Sequence, residues 1–211
     1  MKIIRHVQGS PSWLLWRRFG LGGSDVATIM GVAPFEDCTI ENVIREKVEG
    51  WSKPTNFQMR QGTRLEPTAR TMYEIHAQCS APPVCVEHDE LPWARVSLDG
   101  LCRNLHRETD EPWVLELKVP NWKAHSQALA GEVPHYYRPQ CQWQLFTCGL
   151  SRLDYVSFST HQRYGTADRL AVVSVEPDEE LQGEMLARCA EFWFRVEELR
   201  EDAKRKPSEV A

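Results

Sequence analysis

The chain has 211 residues, of which 42% are hydrophobic and 26% charged, and its formal net charge is −5. This content is sufficient for one well-packed core, so we expect a single domain over residues 1–211. The sequence contains neither an apolar run of membrane-spanning length nor a signal-peptide pattern, which predicts a soluble protein without membrane association. Because the average charge is acidic, any binding of nucleic acid would depend on local clusters of arginine and lysine.

Seven cysteines are scattered along the chain, and none of them forms a Cys-x-x-Cys pair. Their odd number and irregular spacing argue against a disulfide framework and against a zinc site. Iron–sulfur clusters also require grouped cysteines, which this sequence lacks. The pattern favours a cytoplasmic protein in a reducing environment, where most of these thiols act as small core residues.

The amino-terminal part is expected to be helical. A short helix over Trp13–Phe19 is interrupted by the glycine-rich run 20–23, and Ser24 is expected to cap a second helix of about seven residues. A glycine-rich turn with a serine at a helix start suits an anion. The alternative is an ordinary capped helix, and Arg17 with its neighbour Arg18 is then a solvated surface pair.

A third helix is predicted from Thr39 to Lys47, and a longer one opens at Asn56 and reaches about residue 78. Pro67 is expected to bend or restart this longer helix. Gly62 and Glu66 are four residues apart and share a face, which would let Glu66 reach a pocket over a residue without a side chain. The alternative is a glutamate on the surface.

Strands are predicted near 84–87 and 95–98 and over 113–119, with residues 103–112 as the polar connection. Glu116 and Lys118 are two residues apart, so both side chains leave the same face of a strand. Asp99 ends the preceding extended run, and Gly100 permits a tight turn that would bring the later strand back beside it. Asp99 and Glu116 could then share a hard cation such as magnesium, while Lys118 orients or deprotonates a water. The alternative is a hairpin with an edge salt bridge.

The remaining elements are a polar helix over 121–129, a helix over about 135–148, strands near 156–158 and 170–175, and a final helix after Pro177. Tyr136, Gln140 and Gln144 are predicted to form one stripe that lines a polar cleft. Apolar residues at helical spacing in the final helix predict core packing or a subunit contact. The order of the elements predicts an α/β or α+β fold.

Five motifs stand in an order that resembles the lambda-exonuclease or YqaJ-type phage recombination nucleases, within the P-D-(D/E)-x-K superfamily. The resemblance spans roughly residues 12–160, and its motifs are Arg17 with the run Gly20–Asp25, Met59–Pro67, Ser97–Leu101, Leu115–Lys118 and Pro139–Gln142. It implies a restriction-endonuclease-like core, with a central mixed β-sheet flanked by helices. Leu98 stands where the superfamily often has proline, which affects the turn and leaves the metal site intact.

The resemblance also implies roles for individual residues. Asp99, Glu116 and the Leu117 carbonyl would bind two Mg²⁺ ions, with Mn²⁺ as an alternative, and Lys118 would position the attacking water. Glu66 and Gln140 would belong to the site of cleavage. Arg17 and Ser24 would hold the 5′-phosphate.

The implied activity is a 5′→3′ exonuclease that degrades one strand of linear double-stranded DNA to mononucleotides and leaves a 3′ single strand. The expected assembly is a ring-shaped homotrimer that works beside a single-strand-annealing protein in phage homologous recombination, in a bacterial host cell. The alternatives are an endonuclease or an iron–sulfur nuclease of the same superfamily, or a non-catalytic DNA-binding relative. Cysteine spacing disfavours an iron–sulfur nuclease, and the element from Arg17 to Ser24 disfavours an endonuclease.

Overall fold

The computed structural model of the protein describes residues 1–52, 54–107 and 110–205. The strands in these ranges are β1 (Lys2–Ile4), β2 (Cys79–Ser80), β3 (Val84–Glu87), β4 (Arg95–Leu98), β5 (Gly100–Asn104), β6 (Trp113–Lys118), β7 (Leu153–Phe158) and β8 (Leu170–Val175). The α-helices are α1 (Pro11–Arg18), α2 (Gly23–Ile29), α3 (Ile40–Glu49), α4 (Phe57–Ala77), α5 (Trp122–Leu129), α6 (Arg138–Cys148) and α7 (Glu179–Arg205).

The strands form two sheets. A small antiparallel sheet has the order β1-β3-β4, and a larger sheet has the order β2-β5-β6-β7-β8. In the larger sheet β6 and β7 are parallel, and the other neighbours are antiparallel. The expected central mixed sheet flanked by helices is therefore confirmed.

Helices cover both faces of the larger sheet. Leu115 and Leu117 of β6 belong to the apolar cluster that includes Ala69 and Tyr73 of α4. Val114 belongs to the cluster of the opposite face, which includes Trp143 of α6 and much of α7. Because side chains alternate along a strand, Glu116 and Lys118 leave on the α6 face, as predicted from their spacing.

The predicted hairpin around Asp99 differs from the structure. The extended run before Asp99 is β4, which pairs with β3 in the small sheet. The partner of β6 is β5, a strand that starts at Gly100, directly after Asp99, and pairs Gly100 with Leu115. Asp99 is thus the point at which the chain passes from one sheet to the other. A Cβ at Gly100 would lie 2.9 Å from the Cβ and carbonyl of Ala81, so only glycine fits this crossing.

Strand β5 also takes in the first two residues of the predicted connection 103–112, of which positions 108 and 109 lie outside the described residues. The helix predictions for the first half of the chain agree with α1 to α4, with two corrections. Helix α2 is capped by Gly22, whose N–H donates to the Asp25 carboxylate at 2.8 Å, and Ser24 lies inside the helix. Helix α4 continues through Pro67 without restarting.

Two further helix predictions can be compared with the structure. Residues His135–Tyr137 form a 3₁₀ turn, and α6 begins at Arg138, so Tyr136 is not on the α-helical stripe of Gln140. The apolar stripe of the final helix packs in the core, where Met185, Cys189 and Val196 are fully buried. Among the described helices, none combines the length and the apolar content that crossing a bilayer requires.

Candidate active site

Glu116 is a buried carboxylate in the middle of the larger sheet, with 1% of its surface exposed. Its Oε1 accepts a hydrogen bond from Gln140 Nε2, and its Oε2 accepts one from Gln144 Nε2, both at 2.6 Å. The Lys118 ammonium forms an ion pair with the same carboxylate. Both oxygens of this buried charge are therefore satisfied by donors, which is what permits its burial.

Asp99 lies beside Glu116 because of a backbone contact. Its Oδ2 accepts a hydrogen bond from the Leu117 N–H at 2.7 Å. The N–H and C=O of one strand residue leave on the same edge, so the Leu117 carbonyl also leaves β6 on the side of Asp99. Burial and the neighbouring Glu116 carboxylate raise the pKa of Asp99 to about 8. The Glu116 carboxylate thus lies close enough to Asp99 to disfavour its negative charge.

Lys118 supplies positive charge to this pair. Burial opposes its ionisation, but the Glu116 and Asp99 carboxylates outweigh burial and raise the pKa of Lys118 above its ordinary value. Its Nζ also lies 5.3 Å from the centre of the Tyr137 ring, in a cation–π contact. Lys118 is therefore held as an ammonium, which suits orientation and charge stabilisation better than proton abstraction.

Glu66 lies at the edge of this group and is connected to it through Arg70. The Glu66 carboxylate, 31% exposed, forms an ion pair with Arg70 one helical turn later. Arg70 Nε in turn donates to the carbonyl of Asp99 at 2.9 Å. The charge of Glu66 contributes to the raised pKa of Asp99, so the two carboxylates interact. Glu66 is thus part of the acidic group and also partly exposed to solvent.

The oxygen atoms at this junction suit a hard divalent cation. Asp99, Glu116 and the Leu117 carbonyl offer oxygen donors, and Mg²⁺ commonly binds through one or two carboxylates while it keeps several waters. Next to them, Gln144 Oε1 is buried without a hydrogen-bond partner. In the part of the chain that the structure describes, no three acidic, histidine or cysteine side chains meet in a metal-binding arrangement. An ion here would therefore depend on two carboxylates, a carbonyl and water.

The predicted phosphate element borders the same group. Arg17 and Ser24 line a cavity of about 190 Å³ together with Gln140 and Gln144, the two glutamines that hold Glu116. The Arg17 guanidinium stacks 4.9 Å from the centre of the Trp13 ring, and Ser24 is exposed. The structure thus brings Arg17 of α1 and Ser24 of α2 to one cavity with two glutamines of α6, and these glutamines donate to Glu116.

A buried ion pair supports the turn before α2. Asp25 Oδ2 lies 2.7 Å from Lys47 Nζ, and both side chains are almost completely buried. Helix α2 also approaches α6 very closely, because a Cβ at Gly23 would lie 2.7 Å from Gln140 Cγ. The glycine-rich run is therefore needed for packing against Gln140, in addition to any contact with an anion.

Sequence reasoning did not assign three of the groups found here. Gln144 was placed on a polar stripe with Gln140, which was the correct signal, but it was given no role. Tyr137 was missed because the 3₁₀ turn changes the register that an α-helix would give. Lys47 was predicted as the end of the third helix, but no local pattern pairs it with Asp25, since that contact depends on how α2 and α3 pack.

The chain has the fold of lambda-exonuclease-like phage exonucleases, with a carboxylate pair and a lysine at the junction of its two sheets. Residues 12–151 match the model of the YqaJ-like viral recombinase domain, and the chain belongs to this family. This confirms the resemblance drawn from the five motifs.

Among solved structures, the chain is similar to LHK-Exo in complex with dAMP, with a TM-score of 0.78 and 25% identity over 96% of this chain and 100% of that one. It is similarly related to the alkaline exonuclease LHK-Exo from Laribacter hongkongensis, at a TM-score of 0.77, 25% identity and the same coverage. A phage-related exonuclease from Haemophilus somnus 129PT has a TM-score of 0.62 and 14% identity over 87% of this chain and 96% of that one, which shows the fold alone.

A curated relative is Protein D345L of African swine fever virus, strain Badajoz 1971 Vero-adapted. It is 25% identical over 159 residues, which are 64% of this chain and 44% of the relative. The chain thus spans less than half the length of this relative.

Proposed function

We propose that the protein is a metal-dependent exonuclease that degrades one strand of linear double-stranded DNA from its 5′ end. The products would be mononucleotides and a 3′ single strand. The observation that carries this proposal is the meeting of Asp99, Glu116 and Lys118 at the junction of the sheets, beside a cavity lined by Arg17 and Ser24. Membership of the YqaJ-like family and the likeness to an alkaline exonuclease support it.

Asp99, Glu116 and the Leu117 carbonyl would hold two Mg²⁺ ions, for which Mn²⁺ is an alternative. When bound, such ions stabilise negative charge on the attacked phosphate and increase the acidity of coordinated water. Lys118, held as an ammonium, would orient the attacking water and balance the charge that develops on the phosphate.

Three polar side chains would keep the carboxylates in position. Gln140 and Gln144 donate to opposite oxygens of Glu116 and therefore fix the plane of its carboxylate. Glu66 acts on Asp99 through Arg70 and, from its position at the edge of the site, would complete the surroundings of the metal or the water.

Arg17 and Ser24 would bind the 5′-phosphate of the shortened strand. A guanidinium can form two parallel charge-assisted hydrogen bonds to a phosphate, and a serine hydroxyl can donate another. Their cavity is also lined by the glutamines that hold Glu116. A terminal phosphate bound there would therefore lie beside the carboxylate and lysine side chains proposed to cleave the strand. This arrangement favours cleavage next to a 5′ end.

A wider role follows from the family description of a viral recombinase. We propose that residues 1–211 act as one nuclease domain of a homotrimer that encircles DNA, in the cytoplasm of a bacterial host. A single-strand-annealing protein would receive the 3′ strand during phage recombination. The mass of the protein in solution tests the ring, because a monomer would exclude it.

The experiment that tests polarity uses linear duplexes with a 5′-phosphate or a 5′-hydroxyl, each labelled at one end only. We expect Mg²⁺-dependent release of mononucleotides from the 5′-phosphorylated end, and slower release from the hydroxyl end. Arg17→Ala should abolish this preference, since the hydroxyl end lacks the group that Arg17 would bind.

A matched control is Arg188→Ala, which removes an exposed arginine of α7 that forms an ion pair with Glu184. This variant should keep the preference for the phosphate. Release from the 3′ end first, or an unchanged preference in Arg17→Ala, would contradict the assigned polarity.

A further inference from the structure

An exposed aromatic side chain with two cations lies just past the end of β6. Trp122 is the first residue of α5 and is 44% exposed. The Arg163 guanidinium is 4.3 Å from the centre of its ring, and Lys123 Nζ is 5.8 Å from it. We refer to Trp122, Lys123 and Arg163 together as the Trp122 platform.

The Trp122 platform lies on the edge of the sheet that carries Lys118. Strands β6 and β7 are parallel, so their carboxyl ends share one edge, and Lys118 is paired with Ser157 there. Trp122 follows Lys118 by four residues, which limits the distance between their Cα atoms to about 14 Å. A strand of DNA bound with a phosphate at Lys118 would therefore have its neighbouring nucleotide within reach of the platform.

Hydrogen bonds fix the loop that carries Arg163 against α5. The Tyr164 hydroxyl donates to the carbonyl of Trp122 and is also within hydrogen-bond distance of Ser126 Oγ, both at 2.9 Å. The Tyr164 ring packs edge-on against His125 at 4.6 Å. His125 is buried and contacts Ser157 Oγ at 2.7 Å, so the platform is connected to the strand residue that pairs with Lys118.

We propose that the Trp122 platform binds an unpaired nucleotide of the DNA, with the base stacked on the indole and its phosphate near Arg163 and Lys123. This inference rests on the proposed nuclease function and adds a single-stranded DNA site next to the scissile phosphate. Stacking on an exposed aromatic ring with cations beside it is how proteins bind single strands without reading their sequence. Positive charge at this edge also complements phosphate, although the whole chain is acidic.

The test compares binding of a blunt duplex with binding of the same duplex carrying a short single-stranded thymidine tail. It uses the full chain in EDTA, so that no cleavage occurs. Trp122→Ala should weaken binding of the tailed duplex by about 5- to 150-fold, the loss expected for one stacked base, and leave the blunt duplex within about twofold. Trp122→Phe should retain most of the affinity, and Arg163→Ala should also reduce the dependence of binding on salt.

A matched control comes from a second stacked pair. Arg45 lies 4.7 Å over the ring of Trp51 at the end of α3, a helix that packs against α1, α2 and α7. Trp51→Ala should leave the binding of both duplexes unchanged. Equal loss in Trp51→Ala and Trp122→Ala would overturn the inference, because it would indicate a general effect of removing a tryptophan.

The outcomes separate this inference from the proposed function. Suppose that the unaltered protein releases nucleotides in Mg²⁺, and that Trp122→Ala and the unaltered protein bind the tailed duplex with equal affinity. The platform is then only structural and the inference is wrong. If the unaltered protein binds no DNA and releases no nucleotide, the proposed function itself is wrong. A lower melting temperature of Trp122→Ala with unchanged DNA binding also contradicts the platform.

Discussion

Replacing Lys118 with methionine should destabilise the metal-free protein, because it leaves the buried Glu116 carboxylate without the ammonium that faces it. Breaking a buried ion pair by removing one partner costs about 3–5 kcal/mol. The Glu116 side chain is 1% exposed but the Lys118 side chain is 23% exposed, so in the variant water can partly take the place of the ammonium. We therefore expect a loss of free energy of unfolding at or just below the lower limit of this range, about 2–3 kcal/mol. Methionine keeps the length of the side chain and removes only its charge and donors.

The assay is urea unfolding in EDTA at pH 8, followed by tryptophan fluorescence. The double variant Glu116→Gln/Lys118→Met removes both charges, and it should be closer to the unaltered protein than Lys118→Met alone. Similar unfolding of Lys118→Met and the unaltered protein, within about 0.5 kcal/mol, would refute the reasoning. In that case the ion pair would contribute no net stability.

Four other variants test further features. In Asp25, burial opposes ionisation, but the buried lysine and the nearby arginine outweigh it and hold the pKa below its usual value. The resulting stabilisation is therefore present above about pH 4 and is lost as pH falls through the lowered pKa. Asp25→Asn should therefore reduce the pH dependence of the free energy of unfolding, measured with urea from about pH 2.5 to 6. Gln144→Leu removes the donor to Glu116 Oε2 and also a buried amide carbonyl that has no partner. Nuclease kcat should therefore fall roughly tenfold. The free energy of unfolding should change by less than about 1 kcal/mol, because the two effects on stability oppose each other. Gly23→Ala should destabilise by about 1–3 kcal/mol, because its Cβ would lie 2.7 Å from the facing glutamine of α6, whereas Gly62→Ala, with open space around it, should stabilise α4 by about 0.5–1 kcal/mol.

Much of the fold was predictable because its signals are local. The spacing of Glu116 and Lys118 determined their common face, and the apolar period of α7 determined its buried side. Capping was harder to predict, since Ser24 and Gly22 are both plausible helix starts. The side chain of Asp25 decides between them by accepting the Gly22 N–H.

The error around Asp99 has a different origin. A short extended run followed by glycine looks the same in a hairpin and in a crossing between two sheets, and only tertiary pairing distinguishes them. The close approach of Ala81 to Gly100 is a long-range contact that no local pattern contains. The expected neighbours of Asp99 were nevertheless correct, because β5 brings it to Leu117 and Glu116 by the other route.

The candidate site combines residues from separate parts of the chain, and here the family resemblance contributed most. Local reasoning alone left open whether Glu66 and Arg17 are ordinary surface residues and whether Ser24 only caps a helix. The order of the five motifs gave them roles, and the cavity shared by Arg17, Ser24 and Gln140 supports two of these. The platform at Trp122 was beyond both approaches, because its partner Arg163 lies in a loop some forty residues later.

The measurement that tests the central claim most directly is nucleotide release in Mg²⁺ from a mixture of linear, 5′-phosphorylated duplex and closed circular duplex. We expect the linear DNA to be converted to mononucleotides and the closed circle to remain intact, with activity lost in EDTA and in Lys118→Ala. Cutting of the closed circle would contradict an end-dependent exonuclease. If Lys118→Ala released mononucleotides as fast as the unaltered protein, Asp99, Glu116 and Lys118 would not be the residues that cleave the strand.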